Sequence, residues 1–306
     1  MSASQPAARP RLPLAVLLLC AAAAPGTPSA AHAETDPQAE FGASAQEESY
    51  TRFRYEHSKV VTRDPYPVLP GRFQLSVFYL FEEADRQWDD RWAPADRART
   101  DGSAGVLVFS AGLARGIDAS ILMTYTHITD LETAPGTVSG VQNISVLGTI
   151  SFYQNPDRTV AIAYVPTLIS PLGPESTPLR LGTTQGTFGY DNRISFSIDF
   201  AGNWTTTADF GYIQLFGAEP GETWGFLSTN AGIGYQAASW LQPIIEISYA
   251  HRYELRSSDT DIIAILGGVL LPLPGKILAQ GGVQQFVAGR NADIATRFIF
   301  GLKVTF

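Results

Sequence analysis

Cysteine is nearly missing from this 306-residue chain, with Cys20 the single example. A disulfide framework and cysteine-ligated zinc are therefore excluded. Charge is also scarce, at 16% of residues against roughly 25% in ordinary soluble domains. There is no cationic excess: Lys+Arg 21 against Asp+Glu 29 gives a net charge of −8, which excludes a basic nucleic-acid binder. A long unbroken apolar run is lacking past the first 33 residues. The longest, residues 262–274, contains Gly267, Gly268, Pro272 and Pro274, so it reads as strand, turn and strand; a helical span needs about 20 residues. What the chain does hold is aromatic and turn-forming material: 17 Phe, 12 Tyr, 5 Trp, 28 Gly and 20 Pro. That content excludes disorder over most of the length and favours many short strands.

The first 33 residues divide into three parts. Arg9 and Arg11 open them, an apolar run follows over 12–24, and Ala31-His32-Ala33 supplies an A-x-A cleavage site. This is the pattern of a secretory signal peptide. Leu19 before Cys20 argues against a lipid anchor, which wants a small residue there. Cleavage leaves 306 − 33 = 273 residues without cysteine, and a balance of 19 − 29 = −10.

In the remainder the hydrophobic period is two. Near the end, Phe298, Phe300, Leu302, Val304 and Phe306 alternate with Arg297, Ile299, Gly301, Lys303 and Thr305. Phe73, Leu75, Val77, Tyr79 and Phe81 share one face of an early segment. Ile144, Val146, Ile150 and Phe152 oppose Asn143, Ser145, Thr149 and Ser151, and Ile194, Phe196, Ile198 and Phe200 oppose Arg193, Ser195, Ser197 and Asp199. Pro243, Ile245, Ile247 and Tyr249 oppose Gln242, Glu246 and Ser248, with Ile244 breaking the polar side. Together with weaker neighbours these predict twelve strands between Arg72 and Phe306.

Short turns are expected around Arg115-Gly116, Asn155-Pro156-Asp157, Gly202-Asn203, Ala238-Ser239 and residues 272–275. Longer polar loops are expected over 82–101, 129–140 and 170–186. Short turns on one rim, long loops on the other and an even strand count are the layout of an outer-membrane barrel. Hydrocarbon offers no partners to an open sheet edge, so such a sheet must close. Trp204 and Trp240 follow two short turns directly and are expected in an interfacial aromatic girdle. A secreted β-sandwich would also alternate, but its loops would not sort by length, and it has no use for an outward apolar row running to the last residue.

Residues 34–69 differ in composition, and two readings stay open: a periplasmic lead-in, or a short plug with Arg52, Phe53, Arg54 and Tyr55 entering the lumen. The loop 82–101 is charged with both signs and is read as solvated and extracellular, with a divalent cation or lipopolysaccharide contact as the functional alternative.

Arg193, Asp199, Asp209, Glu246, Arg252, Arg297 and Lys303 all fall on the parity opposite the apolar set. A charge facing lipid at the midplane costs about 2–4 kcal/mol for Arg or Lys, so these side chains must point inward. Arg193, Glu246 and Arg297 come at mid-height, Asp199 and Lys303 near the periplasmic end, and Arg252 near the outer mouth. They form either a structural ion network or a charged constriction flanked by Glu246 and Arg297. Gln280 and Gln284 share that face, with Gly232, Gly234 and Gly282 leaving room.

His57, His127 and His251 survive cleavage without zinc-ligand spacing, and no phosphate loop or G-x-S-x-G elbow is present. A lipid-facing hydrolase would need His-x-Ser on one strand face. His127-Ile128-Thr129 offers threonine there and His251-Arg252-Tyr253 offers tyrosine.

Local phrases of the chain resemble the outer-membrane transporter family labelled "MetA-pathway of phenol degradation". They are Pro70-Gly71-Arg72-Phe73-Gln74-Leu75-Ser76, residues 147–152, and Tyr164-Val165-Pro166-Thr167-Leu168-Ile169-Ser170-Pro171-Leu172-Gly173. Glu246 in a late strand and the Phe300-Gly301-Leu302 ending with terminal Phe306 also match. The likeness spans most of residues 70–306. It implies a barrel that passes small, in particular aromatic, compounds.

The reading is thus an all-β, up-and-down antiparallel transmembrane barrel of about twelve strands in a Gram-negative outer membrane. It carries small, hydrophobic or aromatic solutes by passive diffusion, with no enzymatic step and no cofactor or metal. Its expected partners are outer-membrane lipid, lipopolysaccharide, the barrel-assembly machinery and the solute, and not nucleic acid. Phe306, a terminal aromatic after alternating apolar residues, resembles the signal which that machinery reads. A non-conducting structural or surface-interaction barrel and a lipid-facing hydrolase are the competing classes.

Overall fold

In a computed structural model the chain is described over residues 63–130, 137–155, 159–171, 188–200, 203–217 and 223–306. The leader and the residues Arg52, Phe53, Arg54 and Tyr55 lie outside these. Among the described residues there are thirteen strands and no helix. They run β1 (Phe73–Trp88), β2 (Pro94–Ala114), β3 (Ile117–Asp130), β4 (Thr137–Gln154), β5 (Val160–Tyr164), β6 (Thr167–Pro171) and β7 (Phe188–Phe200). The remainder are β8 (Trp204–Phe216), β9 (Thr223–Tyr235), β10 (Gln242–Glu254), β11 (Thr260–Leu273), β12 (Ile277–Arg290) and β13 (Ala292–Thr305).

β5 and β6 are two halves of one stave. Tyr164 pairs with Ile150 and Ile194, and Thr167 pairs with Leu147 and Asp191, so the register carries across the gap unchanged. Pro166 interrupts it because proline has no N–H to give to the ladder. Twelve staves therefore follow one another antiparallel, and β1 pairs with β13 from Gln74↔Thr305 to Trp88↔Ala292. The sheet meets itself and has no free edge. Staves of 13 or 14 residues such as β7 and β11 exceed the 9–11 residues that a tilted strand needs to cross hydrocarbon.

The expected alternation is what the strands present. Along β7, Ile194, Phe196, Ile198 and Phe200 are exposed on the outer wall, whereas Arg193, Ser195 and Ser197 are buried on the inner one. Phe73, Val77 and Tyr79 of β1 and Phe300, Leu302 and Phe306 beside β13 are likewise exposed outside. Both ends of the barrel lie on the rim carrying the hairpin Arg115-Gly116, where Gly116 takes φ +82°, a value that spares a side chain from strain. On the opposite rim, Asn291 alone joins β12 to β13, an exception to the long loops expected there; most of the expected loop 170–186 lies outside the described residues.

The stretch 82–101 departs from expectation. It is no solvated loop: β1 continues to Trp88 and β2 begins at Pro94, leaving only 89–93 as the turn. On the outer face above the apolar band, Arg99 bridges Glu83 at 3.0 Å and Asp101 at 2.9 Å. Charges that signal a loop in the sequence here decorate a strand that continues past the apolar band.

Candidate functional site

The inner wall combines two chemistries. At mid-height, Arg193 of β7 is buried at 1% exposure and holds Asp191 (Nε to Oδ2, 3.3 Å), Asp209 of β8 and the Ser228 hydroxyl of β9 (2.7 Å). Asn230 donates to Asp209 Oδ1 at 2.9 Å. Register makes the cluster: Arg193 faces Gly211, and a side chain at Gly211 would collide with the guanidinium. Across the lumen, Arg297 of β13 donates to Glu82 of β1 at 2.8 Å and to Gln284 of β12 at 3.1 Å, and lies 5.0 Å from the Phe286 ring.

Residues 63–69 lie against this inner wall. Val68 N–H donates to Asp118 Oδ2 at 2.6 Å, and Arg63 N–H donates to Asp209 Oδ2 at 2.8 Å. The Ser195 hydroxyl donates to the Arg63 carbonyl at 2.5 Å. Tyr66 and Val68 are buried. Gly112 of β2 is needed where this segment passes, since a Cβ there would overlap the Leu69 carbonyl. Asp118 also accepts the Thr149 N–H at 3.1 Å, so one buried carboxylate ties the segment to the barrel wall.

Two apolar patches also line the inner wall, which the sequence pattern did not lead us to expect. Ala104, Val106, Leu122, Leu147, Ala163, Val165, Ile169, Ile213 and Leu215 form one buried cluster, with Phe78, Leu80, Val108 and Phe226 packed on it. A second, towards the rim opposite the chain ends, joins Ala84, Trp88, Ala250, Ile262, Ala264, Phe286, Ala292 and Ala295. A water-filled porin has a polar interior; here apolar clusters are set among buried hydroxyls, amides and charged pairs.

His57 lies outside the described residues; the inward-facing and terminal residues singled out in the sequence have definite places. Arg193 and Asp209 come together as an ion pair. Asp199 accepts the Thr205 hydroxyl at 2.8 Å. Glu246 is 1% exposed, and a Cβ at Gly232 would meet its Cγ at 2.8 Å. Arg252 lies 5.8 Å from the Phe226 ring, and Lys303 is half-buried at the terminal rim. The carboxylate that holds Arg297 is Glu82, a residue assigned to a loop by sequence reasoning. Trp204 is exposed and packs 4.8 Å from Tyr235, and Trp240 and Phe306 are each 59% exposed.

On the outer wall the two histidines are differently served. His127 Nδ1 lies 2.5 Å from the hydroxyl of Ser139, its register partner on β4. A search along one strand misses this serine because it sits on the next. His251 instead meets Asp261 at 2.7 Å, where Tyr249 (2.9 Å) and Arg290 (2.8 Å) also converge. Among the described residues, His127 meets a hydroxyl and His251 an acid, and neither is seen to meet both.

No family model matches the chain, and no curated protein does. Among solved structures, an outer membrane channel from Pseudomonas putida F1 superposes with a TM-score of 0.70 at 13% identity, covering 81% of this chain and 100% of that one. The KdgM porin gives 0.46 at 11% identity (76% and 99% covered), and the P. putida toluene transporter TodX gives 0.42 at 9% (79% and 91% covered). The first likeness is one of fold: this chain is an outer-membrane-type barrel.

Proposed function

We propose that the barrel is an outer-membrane conduit for small apolar solutes, crossing by passive diffusion without cofactor or covalent step. The observation that carries the reading is the inward-facing apolar surface of β1–β6 and β8, which shields hydrocarbon from water along the lumen. A sugar or an ion gains nothing from such walls, whereas an aromatic or aliphatic solute loses none of its packing on entry. Residues 63–69 narrow the terminal half, and the charged pairs set the polarity of what remains. The outward row of exposed apolar side chains on β1, β3, β7, β10 and β13 supports a place in lipid, with Trp204 and Trp240 at one interface and Phe306 as the last lipid-facing residue.

The test is flux into liposomes whose outer leaflet carries lipopolysaccharide. The barrel should speed toluene entry well above that of protein-free vesicles and leave glucose excluded. Glucose entry with no gain for toluene would overturn the proposal. One observation favours a second reading, a non-conducting structural barrel: the ion network and residues 63–69 occupy the lumen together. Absence of any single-channel current together with absence of toluene flux would select it.

A further inference from the structure

We infer that residues 63–70 are an autoinhibitory strap: docked, they close the terminal half of the lumen, and passage requires their release from two carboxylate latches, Asp118 and Asp209. The inference rests on the conduit reading and adds its regulation.

The strap is anchored at two distant places. At one end Pro70 bridges Gly112 of β2, and the Val68 N–H donates to Asp118 Oδ2 of β3 at 2.6 Å. At the other the Arg63 N–H donates to Asp209 Oδ2 of β8 at 2.8 Å, and the Arg63 carbonyl accepts the Ser195 hydroxyl of β7 at 2.5 Å. Asp118 and Asp209 stand four staves apart, a third of the way round the twelve-stave wall. Four inter-strand spacings measure about 19 Å. The five residue steps from Arg63 to Val68 reach about 18 Å at full stretch, too short to follow the curve of the wall. The segment therefore cuts across the bore, with the aspartate side chains meeting it from either side.

Its sequence suits a chain that crosses without a strand partner. Pro65, Pro67 and Pro70 have no N–H to leave unsatisfied, and the Tyr66 N–H is served within the segment by Asp64 Oδ1 at 3.0 Å. Residues 65–68 are all buried. Charge adds to the docking. Among the described residues Asp191 and Asp209 share one ion-paired cation, Arg193, and the Arg63 cation lies within electrostatic reach of Asp191. With Arg63 in place, two arginines balance two aspartates; without it, a buried site of net negative charge is left, which is costly. The strap thus completes the ion network. Both latches hold its backbone outside the barrel's own ladder, so the strap can leave while the barrel stays closed. Docked and released states are then in equilibrium, and the flux of the parent is that of its released fraction.

The test uses the full-length protein in liposomes and planar bilayers, with Cys20→Ala and Tyr66→Cys as the common background. Labelling by a water-soluble maleimide reads release, because Tyr66 is 4% exposed when docked; ion current and toluene entry read passage. Arg63→Glu turns the strap's charge against Asp191 and Asp209, and Val68→Pro removes the N–H held by Asp118. Both alter the strap alone. Each should raise the labelling rate about tenfold, the scale of one hydrogen bond to a charged group. Current and toluene entry should rise with it, while the gel shift on boiling stays that of the parent. Labelling at the background rate would show that the two carboxylates do not hold the segment. Faster labelling with current and toluene entry both unchanged would show that the segment does not close the lumen. Either result overturns the inference. Faster labelling with a raised current but no toluene entry upholds the strap and counts against the apolar conduit.

Discussion

Removing Arg193 tests the interior most sharply, because two carboxylates depend on it. Asp191 and Asp209 are both buried, and Arg193 is the cation bonded to each. Arg193→Met keeps the length of the side chain and takes away the charge. Asp209 retains N–H bonds from Arg63 and Asn230, while Asp191 loses its side-chain partner. Breaking a buried pair by deleting one partner costs about 3–5 kcal/mol, and the lost bond to Ser228 adds about 1 kcal/mol. The variant should thus be less stable by about 4–6 kcal/mol, measured by urea unfolding in lipid vesicles. The triple variant Asp191→Asn/Arg193→Met/Asp209→Asn removes the stranded charges and should recover most of that loss. A single variant within about 1 kcal/mol of the parent, or a triple variant no better than the single, would refute the claim that these groups form one dry ion network.

Other perturbations have equally definite outcomes. Gly112→Val should push residues 63–69 off the wall, since its Cβ overlaps the Leu69 carbonyl; protease cleavage near Arg63 in the folded barrel should rise, and unchanged protection would contradict the contact. Deleting Phe306 should lower the yield of inserted barrel, measured by the gel shift between unboiled and boiled samples; full yield would refute an assembly role. Glu246→Gln should shift the reversal potential of any residual ion current towards anions, and an unchanged potential would remove Glu246 from the path. At the tip of the β1–β2 hairpin, backbone N–H groups of Ala93 and Arg91 bond the Asp89 carboxylate and hold its pKa below the ordinary value. A depressed pKa stabilises the turn above the ordinary carboxylate range, and that contribution disappears as pH falls through the lowered value. Protection of the amides of residues 89–93, taken as exchange relative to the intrinsic rate at each pH, should accordingly fall in acid, and in Asp89→Ala should be low at every pH.

The architecture was legible because lipid enforces it. Hydrocarbon outside and hydrogen bonding between strands leave a strict period of two, and β7 and β13 show it residue by residue. The inward parity of Arg193, Asp209 and Arg297 followed from the same rule. Their partners did not. Glu82 and Ser139 meet their neighbours across strands, and register is set by turns and bulges rather than by local pattern; Asp191, two residues from Arg193 on the same face of β7, was open to the parity argument and was missed. The apolar interior was also hidden: where Leu122 faces in and Ile121 and Met123 face out, both faces are hydrophobic and alternation vanishes. The projecting hairpin was misread because a charged strand beyond the apolar band has the composition of a loop.

The central claim is that one face of each stave meets acyl chains while the other is shut off from bulk water. Because the chain has no cysteine beyond Cys20, single cysteines carrying a nitroxide can be placed at Ile194, Ser195, Phe196, Ser197 and Ile198 of the barrel reconstituted in lipid. Collision rates with oxygen and with a water-soluble nickel chelate then report each environment. Labels at 194, 196 and 198 should collide with oxygen and little with the chelate, and labels at 195 and 197 should be shielded from both. Chelate access at the three outward positions would mean that this wall faces water, and the account would fail with it.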